Sequence, residues 1–194
     1  MKRIVLLLSF TVVTVAAMAQ WAVNVNYSLW APINQYNSTL KLGFTGGNAK
    51  IRYMFDDYIT GTIGVGYMKM AYENVRVDRV QRPADGFSSN AALQIIPITV
   101  GGNLYFTDKK VRPYFDMDFG VALVQATGDN MPDTKMKTNA IVAPGFGIEY
   151  GITDALSFSG VLKYNTIIYE FDNRSEYLET FNAVGLNLGL SYKF

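Results

Sequence analysis

Histidine and cysteine are both absent from the chain, and so is any strong surplus of charge, with 17 basic against 16 acidic residues. Without cysteine there is no disulfide framework, no lipoprotein thiol and no thiolate site. Without either residue, metal binding through imidazole or thiolate is excluded, and no metal or other cofactor is expected. A nucleophile would need activation by lysine or a carboxylate, and no Ser-Lys or paired-Asp constellation is recognisable at a loop mouth. Near-neutrality removes the electrostatic basis for a nucleic-acid partner. Long apolar runs are lacking too: beyond residue 20, Gly, Asn, Lys or Asp keeps interrupting the apolar residues, so no segment reaches the roughly 20 residues of a membrane-spanning helix.

What is abundant is glycine and aromatic side chains, 17 Gly, 13 Tyr and 12 Phe, a composition suited to a sheet with lipid on one side. The first residues have a different character. Lys2 and Arg3 precede an apolar run from Ile4 to Val15, and Ala17-Met18-Ala19 supplies the small residues of a signal-peptidase site. The run is short for a bilayer span, so residues 1–19 are expected to be a cleaved signal peptide, and 20–194 a single mature domain starting at Gln20. Cleavage removes Lys2 and Arg3 and turns a formal surplus of one positive charge into a surplus of one negative.

From Gln20 onward the recurring pattern has period two. In the last segment Val184, Leu186, Leu188, Leu190, Tyr192 and Phe194 face one way, and Ala183, Gly185, Asn187, Gly189, Ser191 and Lys193 the other. The same division separates Val111, Pro113, Phe115, Met117 and Phe119 from Arg112, Tyr114, Asp116, Asp118 and Gly120. It continues through Phe146, Ile148 and Tyr150 against Gly145, Gly147 and Glu149, and through Phe158, Leu162 and Tyr164 against Ser159, Lys163 and Asn165. Earlier segments are noisier but compatible: Trp21, Val23, Val25, Tyr27 and Leu29 oppose Ala22, Asn24, Asn26 and Ser28. Leu40, Leu42 and Phe44 are out of phase with Ile51, Tyr53 and Phe55, which predicts a bulge near Gly46-Gly47.

Short connections at Asp56-Asp57-Tyr58, Thr107 to Lys110 and Thr153-Asp154-Ala155 alternate with longer polar ones at about Trp30 to Ser38, Asn74 to Asn90, Asp129 to Lys137 and Asp172 to Thr180. That asymmetry predicts an all-β fold, an eight-stranded antiparallel up-and-down transmembrane β-barrel with four outer loops and both termini on the periplasmic side. A soluble periplasmic barrel binding a lipid would alternate as well, but would turn its large apolar face inward and its charges outward.

On the membrane reading, the inward charges are Lys50, Arg52, Arg112, Asp116, Asp118, Glu149, Lys163 and Lys193, nearly balanced in sign. Counting from the tight turns, Arg52, Arg112 and Glu149 fall lower, and Asp116, Asp118 and Lys163 about one layer higher, so pairing across the lumen is expected. An eight-stranded barrel is only wide enough for side chains or one small ligand, so these groups should fill it as a polar core. The functional counter-reading is a gated ion path through the same groups. In the second long loop Arg76, Arg79 and Arg82 alternate with apolar residues, Val75, Val77, Val80 and Phe87, the pattern of a hairpin extended above the membrane or of a contact to lipopolysaccharide phosphates or another protein. Loop acids within Asp129 to Asp133 and Asp172 to Glu179 lack EF-hand spacing and read as solvated.

Over Gln20 to Phe194 the chain resembles the small outer-membrane β-barrel domain family, with a layout similar to the OmpA transmembrane barrel and OmpX-type proteins. The most specific element is the last strand, Leu186 to Phe194, where Leu190, Tyr192 and Phe194 resemble the terminal aromatic signal read by the barrel-assembly machinery. The resemblance implies location in the cell outer membrane, contact with outer-membrane lipids and lipopolysaccharide, a monomer, and an extracellular partner of unknown identity. Enzymes of outer-membrane barrel type, such as lipid A deacylases and barrel proteases, depend on a histidine that this chain lacks, so no enzymatic activity is expected. Unlike full-length OmpA proteins the sequence reaches its terminal Phe directly after the last strand, so no cell-wall tether is implied. The expected role is structural or interactive, through the outer loops. The alternative is a small pore or apolar-solute channel, with Gly64, Gly66, Gly101, Gly147 and Gly189 leaving a continuous path.

Overall fold

The structure, a computed structural model, describes residues 20–33, 42–71, 92–127, 135–169 and 179–194. The leader at 1–19, the loop arginines Arg76, Arg79 and Arg82, and the acidic segments at 129–133 and 172–178 lie outside the described residues. Eight strands follow in chain order: β1 (Trp21–Pro32), β2 (Thr45–Met54), β3 (Ile59–Ala71), β4 (Ala92–Tyr105), β5 (Val111–Thr127), β6 (Lys137–Gly151), β7 (Leu156–Tyr169) and β8 (Glu179–Lys193). Each pairs antiparallel with its neighbour, and β1 pairs with β8 from Ala22↔Lys193 to Pro32↔Ala183, closing the barrel without a free edge.

The tight turns owe their shape to side chains that satisfy the local backbone. The Asp56 carboxylate accepts from the amides of Tyr58 and Ile59, at 2.8 and 2.6 Å. Thr153 Oγ1 accepts from Leu156 N at 2.9 Å, and Thr107 Oγ1 from Lys109 N at 3.3 Å.

The two faces of the wall are inverted relative to a soluble protein. Val25, Ile63 and Phe146 stand 58%, 62% and 66% exposed on the outside, while Asn24, Asp116, Glu149 and Lys163 are 5% exposed or less inside. This arrangement excludes the soluble barrel, whose apolar side chains would fill the interior. No helix among the described residues is long and apolar enough to cross a membrane. The outer apolar face of β3 runs from Ile59 to Tyr67. That is about 27 Å along the strand, or roughly 20 Å along the normal at a tilt of about 40°, close to the band of a transmembrane barrel. Thr45, Lys69, Gln94 and Gln125, neighbours across β2 to β5, form a polar row above it. Below it Trp21, Tyr53, Phe55, Tyr192 and Phe194 form an aromatic belt, with edge-to-face contacts of 5.0 Å for Trp21–Tyr53 and 5.3 Å for Tyr192–Phe194.

The register of β1 against β2 slips by one residue between Tyr27↔Gly47 and Trp30↔Gly43, so an extra residue lies on the β2 side. Leu42 and Phe44 thereby stay on the same outer face as Ile51. Pairing lapses opposite Pro97 in β4 and Pro144 in β6, because proline has no amide hydrogen to give, yet the register resumes unchanged.

Trp30 is a correction to the sequence reading, which began the first outer loop there. It lies in β1, points inward and is 5% exposed. Alternation continues past Leu29, but an apolar residue on the supposedly polar face hides it.

Candidate functional site

Among the described residues the buried charged side chains gather in the lumen, which is layered from the tight-turn end upward. In the first layer Glu149 of β6 holds two arginines. Arg52 Nη1 donates to its Oε2 at 2.7 Å, Arg112 Nη2 pairs with its Oε1, and the Tyr105 hydroxyl donates to Oε2 at 2.9 Å. Arg52 also donates to Ser191 Oγ at 3.1 Å and to the Tyr105 hydroxyl oxygen. The Arg112 guanidinium lies over the Tyr105 ring, 4.5 Å from its centroid, and the Tyr114 ring lies 5.1 Å from that of Tyr105.

One step higher, Lys50 and Lys163 meet Asp116 and Asp118. Lys50 Nζ lies 2.7 Å from Asp118 Oδ2 and 3.3 Å from Asp116 Oδ2, Lys163 pairs with both carboxylates, and Asn103 Nδ2 donates to Asp116 at 2.8 Å. These four charges cancel, and removing any one would leave a buried charge short of a partner. An amide network flanks them: Asn26 Nδ2 donates to Asn48 Oδ1 at 2.7 Å and Asn48 Nδ2 to Ser28 Oγ at 2.9 Å.

The outer half is different in kind. Trp30, Met68, Met70, Leu93, Ile95, Val124, Ile141, Ile167 and Phe181 point inward and pack as one apolar cluster, none more than 7% exposed. The expectation of a small, polar inner face therefore fails in this half of the barrel. Apolar side chains line both faces of the wall here, and the interior closes by packing.

Seven of the eight sequence-predicted inward charges come together in the two ionic layers. Lys193 does not: it faces the same way but sits exposed at the open mouth, where the last strand ends, and pairs with neither layer. Nor do the inward charges balance throughout, since two arginines share Glu149 in the lower layer. Leu190, Tyr192 and Phe194 lie on the outer face of the barrel, each about half exposed. Sequence reasoning missed Tyr105, Tyr114 and Asn103 as members of the network; their parity was visible, but their partners depend on cross-barrel register.

Cavities follow the layers. A vestibule of about 380 Å³ opens at the tight-turn end and ends at the Arg52–Glu149 layer. Spaces of about 20 and 40 Å³ lie below and above the lysine–aspartate layer, room for one or a few waters. The Cβ positions of the five glycines are crowded by neighbouring atoms. A Cβ on Gly147 would stand 2.4 Å from Tyr114 Cζ, one on Gly101 2.5 Å from Asp118 Oδ1, and one on Gly189 2.2 Å from Asn26 Oδ1. Lys50 fills the space at Gly64, and Pro97 and Asn48 that at Gly66. Among the described residues no three carboxylates gather where they could hold a metal ion.

Comparison with solved structures finds barrels of the same build. Neisserial surface protein A matches with a TM-score of 0.60 at 17% identity, covering 90% of this chain and 97% of the other. Ail, the attachment invasion locus protein of Yersinia pestis, matches at 0.59 and 14%, covering 90% and 97%. OprG, an outer membrane protein of Pseudomonas aeruginosa, matches at 0.56 and 15%, covering 90% and 95%. No curated protein matches the sequence. A family profile described as outer membrane protein beta-barrel domain matches residues 5–194, nearly the whole chain, and the closed, inside-out barrel agrees with it: the protein belongs to the outer membrane β-barrel domain family.

Proposed function

We propose that the protein is a sealed, non-enzymatic anchor of the outer membrane that meets external partners through its four outer loops. The observation that carries this reading is the doubly filled lumen: two ionic layers below, and above them a cluster that includes Phe181, Met68, Met70, Ile95, Ile141 and Ile167, each 2% exposed or less. An ion would have to displace paired charges and then cross a dry apolar segment. A rigid barrel with long connections at one end is a suitable scaffold for binding loops. Ail, named for attachment and invasion, is a barrel of similar layout, a likeness of fold alone.

On this reading the leader is removed near Ala19/Gln20, Leu190, Tyr192 and Phe194 present the assembly signal along the membrane face of β8, and the mature protein is a monomer among outer-membrane lipids and lipopolysaccharide. The second reading, a channel for apolar solutes, is favoured by the apolar lining of the outer half, but requires Phe181 and the methionines to move aside. Liposome swelling separates the two. Proteoliposomes should take up small sugars and small apolar solutes no faster than protein-free liposomes; faster uptake of either would make the protein a channel.

A further inference from the structure

We propose that the vestibule at the tight-turn end is a binding site for a small oxyanion, a carboxylate or phosphate, seated on Arg52, Arg112 and Thr60.

The floor of this cavity carries an unmatched positive charge. Arg52 and Arg112 share the single carboxylate of Glu149, Tyr105 joins as a neutral donor, and Ser191 only accepts from Arg52. No acid from the next layer is free to help, because Asp116 and Asp118 are engaged by Lys50 and Lys163. A surplus charge at this depth is costly unless a counter-charge reaches it.

Two donors just beneath that floor, with almost no accessible surface of their own, have no hydrogen-bond partner among the described residues: the Nε–H of Arg52 and the hydroxyl of Thr60, on residues 5% and 2% exposed. Both side chains line the vestibule. Arg112, whose side chain is 25% exposed, turns part of its guanidinium to the same space. An oxyanion is the ligand class that accepts from two guanidinium groups and a hydroxyl while supplying the missing negative charge.

The rim sets the size and character of the guest. The β2–β3 turn brings Asp56 and Asp57, the β4–β5 turn Asp108, Lys109 and Lys110, the β6–β7 turn Asp154, and β8 Lys193. The Asp56 carboxylate is occupied by the amides of its own turn, and Lys110 lies against the outward Tyr150 ring at 5.0 Å. What remains is Asp57, Asp108 and Asp154 against Lys109 and Lys193, a rim one charge negative that turns away a long polyanion, so the guest is a compact anion held by the basic floor and not drawn in by the mouth.

The test uses the mature protein in phosphatidylcholine nanodiscs, with the arginine Nε–H resonances followed by NMR during titration with inorganic phosphate and then acetate. The expected result is a saturable shift of the Arg52 Nε–H that chloride at matched ionic strength does not reproduce. Thr60→Val should weaken phosphate binding about fivefold, the loss of one hydrogen bond. Arg112→Gln leaves a one-to-one Arg52–Glu149 pair, so the barrel should keep its heat-shifted gel mobility while phosphate affinity drops tenfold or more. An absent or non-saturating shift, an equal shift with chloride, or unchanged affinity in both variants would overturn the proposal. Nanodiscs containing phosphatidylglycerol distinguish a lipid phosphate: if that lipid alone moves the Arg52 resonance and added phosphate does nothing further, the site is not one for a free anion.

Discussion

The two halves of the lumen are enclosed by the same eight strands and solve the same problem by opposite means. Near the tight turns the interior is ionic, with Glu149, Asp116 and Asp118 each shared between two cations. Near the loops it is a mainly apolar core with Asn139 buried beside Ala122, and none of the buried charged side chains among the described residues lies in it. The ionic half is specified by partnership: each charge is tolerable only because another is present, so damage to one residue spreads to its partners. The apolar half is specified by volume, and damage there is confined to the space vacated.

The largest expected effect comes from breaking the ionic half at its hub. Glu149→Gln leaves two guanidinium groups around a neutral amide and should cost about 3 to 5 kcal/mol, read as a lowered urea midpoint in lipid vesicles. Arg112→Gln, which removes only the partly exposed partner and with it the layer's surplus charge, should move the midpoint by less than about 1 kcal/mol in either direction in the same assay. That contrast would be lost if the layer were a set of independent pairs.

In the apolar half, Phe181→Ala should cost about 3 kcal/mol, at the lower end for a phenylalanine because the cluster also holds the flexible side chains of Met68 and Met70. Its proteoliposomes should remain as tight as those of the wild type, since a cavity lined by Leu, Ile and Met stays dry.

Gly147→Ala probes the join between wall and network. The new Cβ would meet the Tyr114 ring and should cost about 1 to 3 kcal/mol. Much of that should return in the double variant with Tyr114→Leu, measured as a double-mutant cycle. The smallest effect belongs to the rim: Lys110→Ala removes an exposed cation from the Tyr150 ring and should shift the unfolding midpoint by no more than about 0.5 to 1 kcal/mol.

How much of this was legible in the sequence divides along the same line. The inward charges of β5 to β7 stand between large outward residues, as in Phe115-Asp116-Met117-Asp118-Phe119, so period two is plain and the ionic layers follow from counting along the strands. The apolar plug is hidden because its residues adjoin outward apolar ones, Ile95 beside Ile96, Ile141 beside Val142, Ile167 beside Ile168, and a continuous apolar pair carries no alternation. Asp56, Thr107 and Thr153 announced the tight turns by their side-chain chemistry. The surplus charge beside Glu149 could not be read from composition, because it depends on which residues of β2, β5 and β6 meet across the barrel.

The measurement that tests the sealed lumen most directly is single-channel recording in planar bilayers with the folded wild-type protein. The filled lumen predicts a flat current with no discrete steps across the voltage range that an empty bilayer withstands. Resolved, reproducible openings of the wild type would contradict it, because they would require an ion path through both the paired charges and the apolar plug.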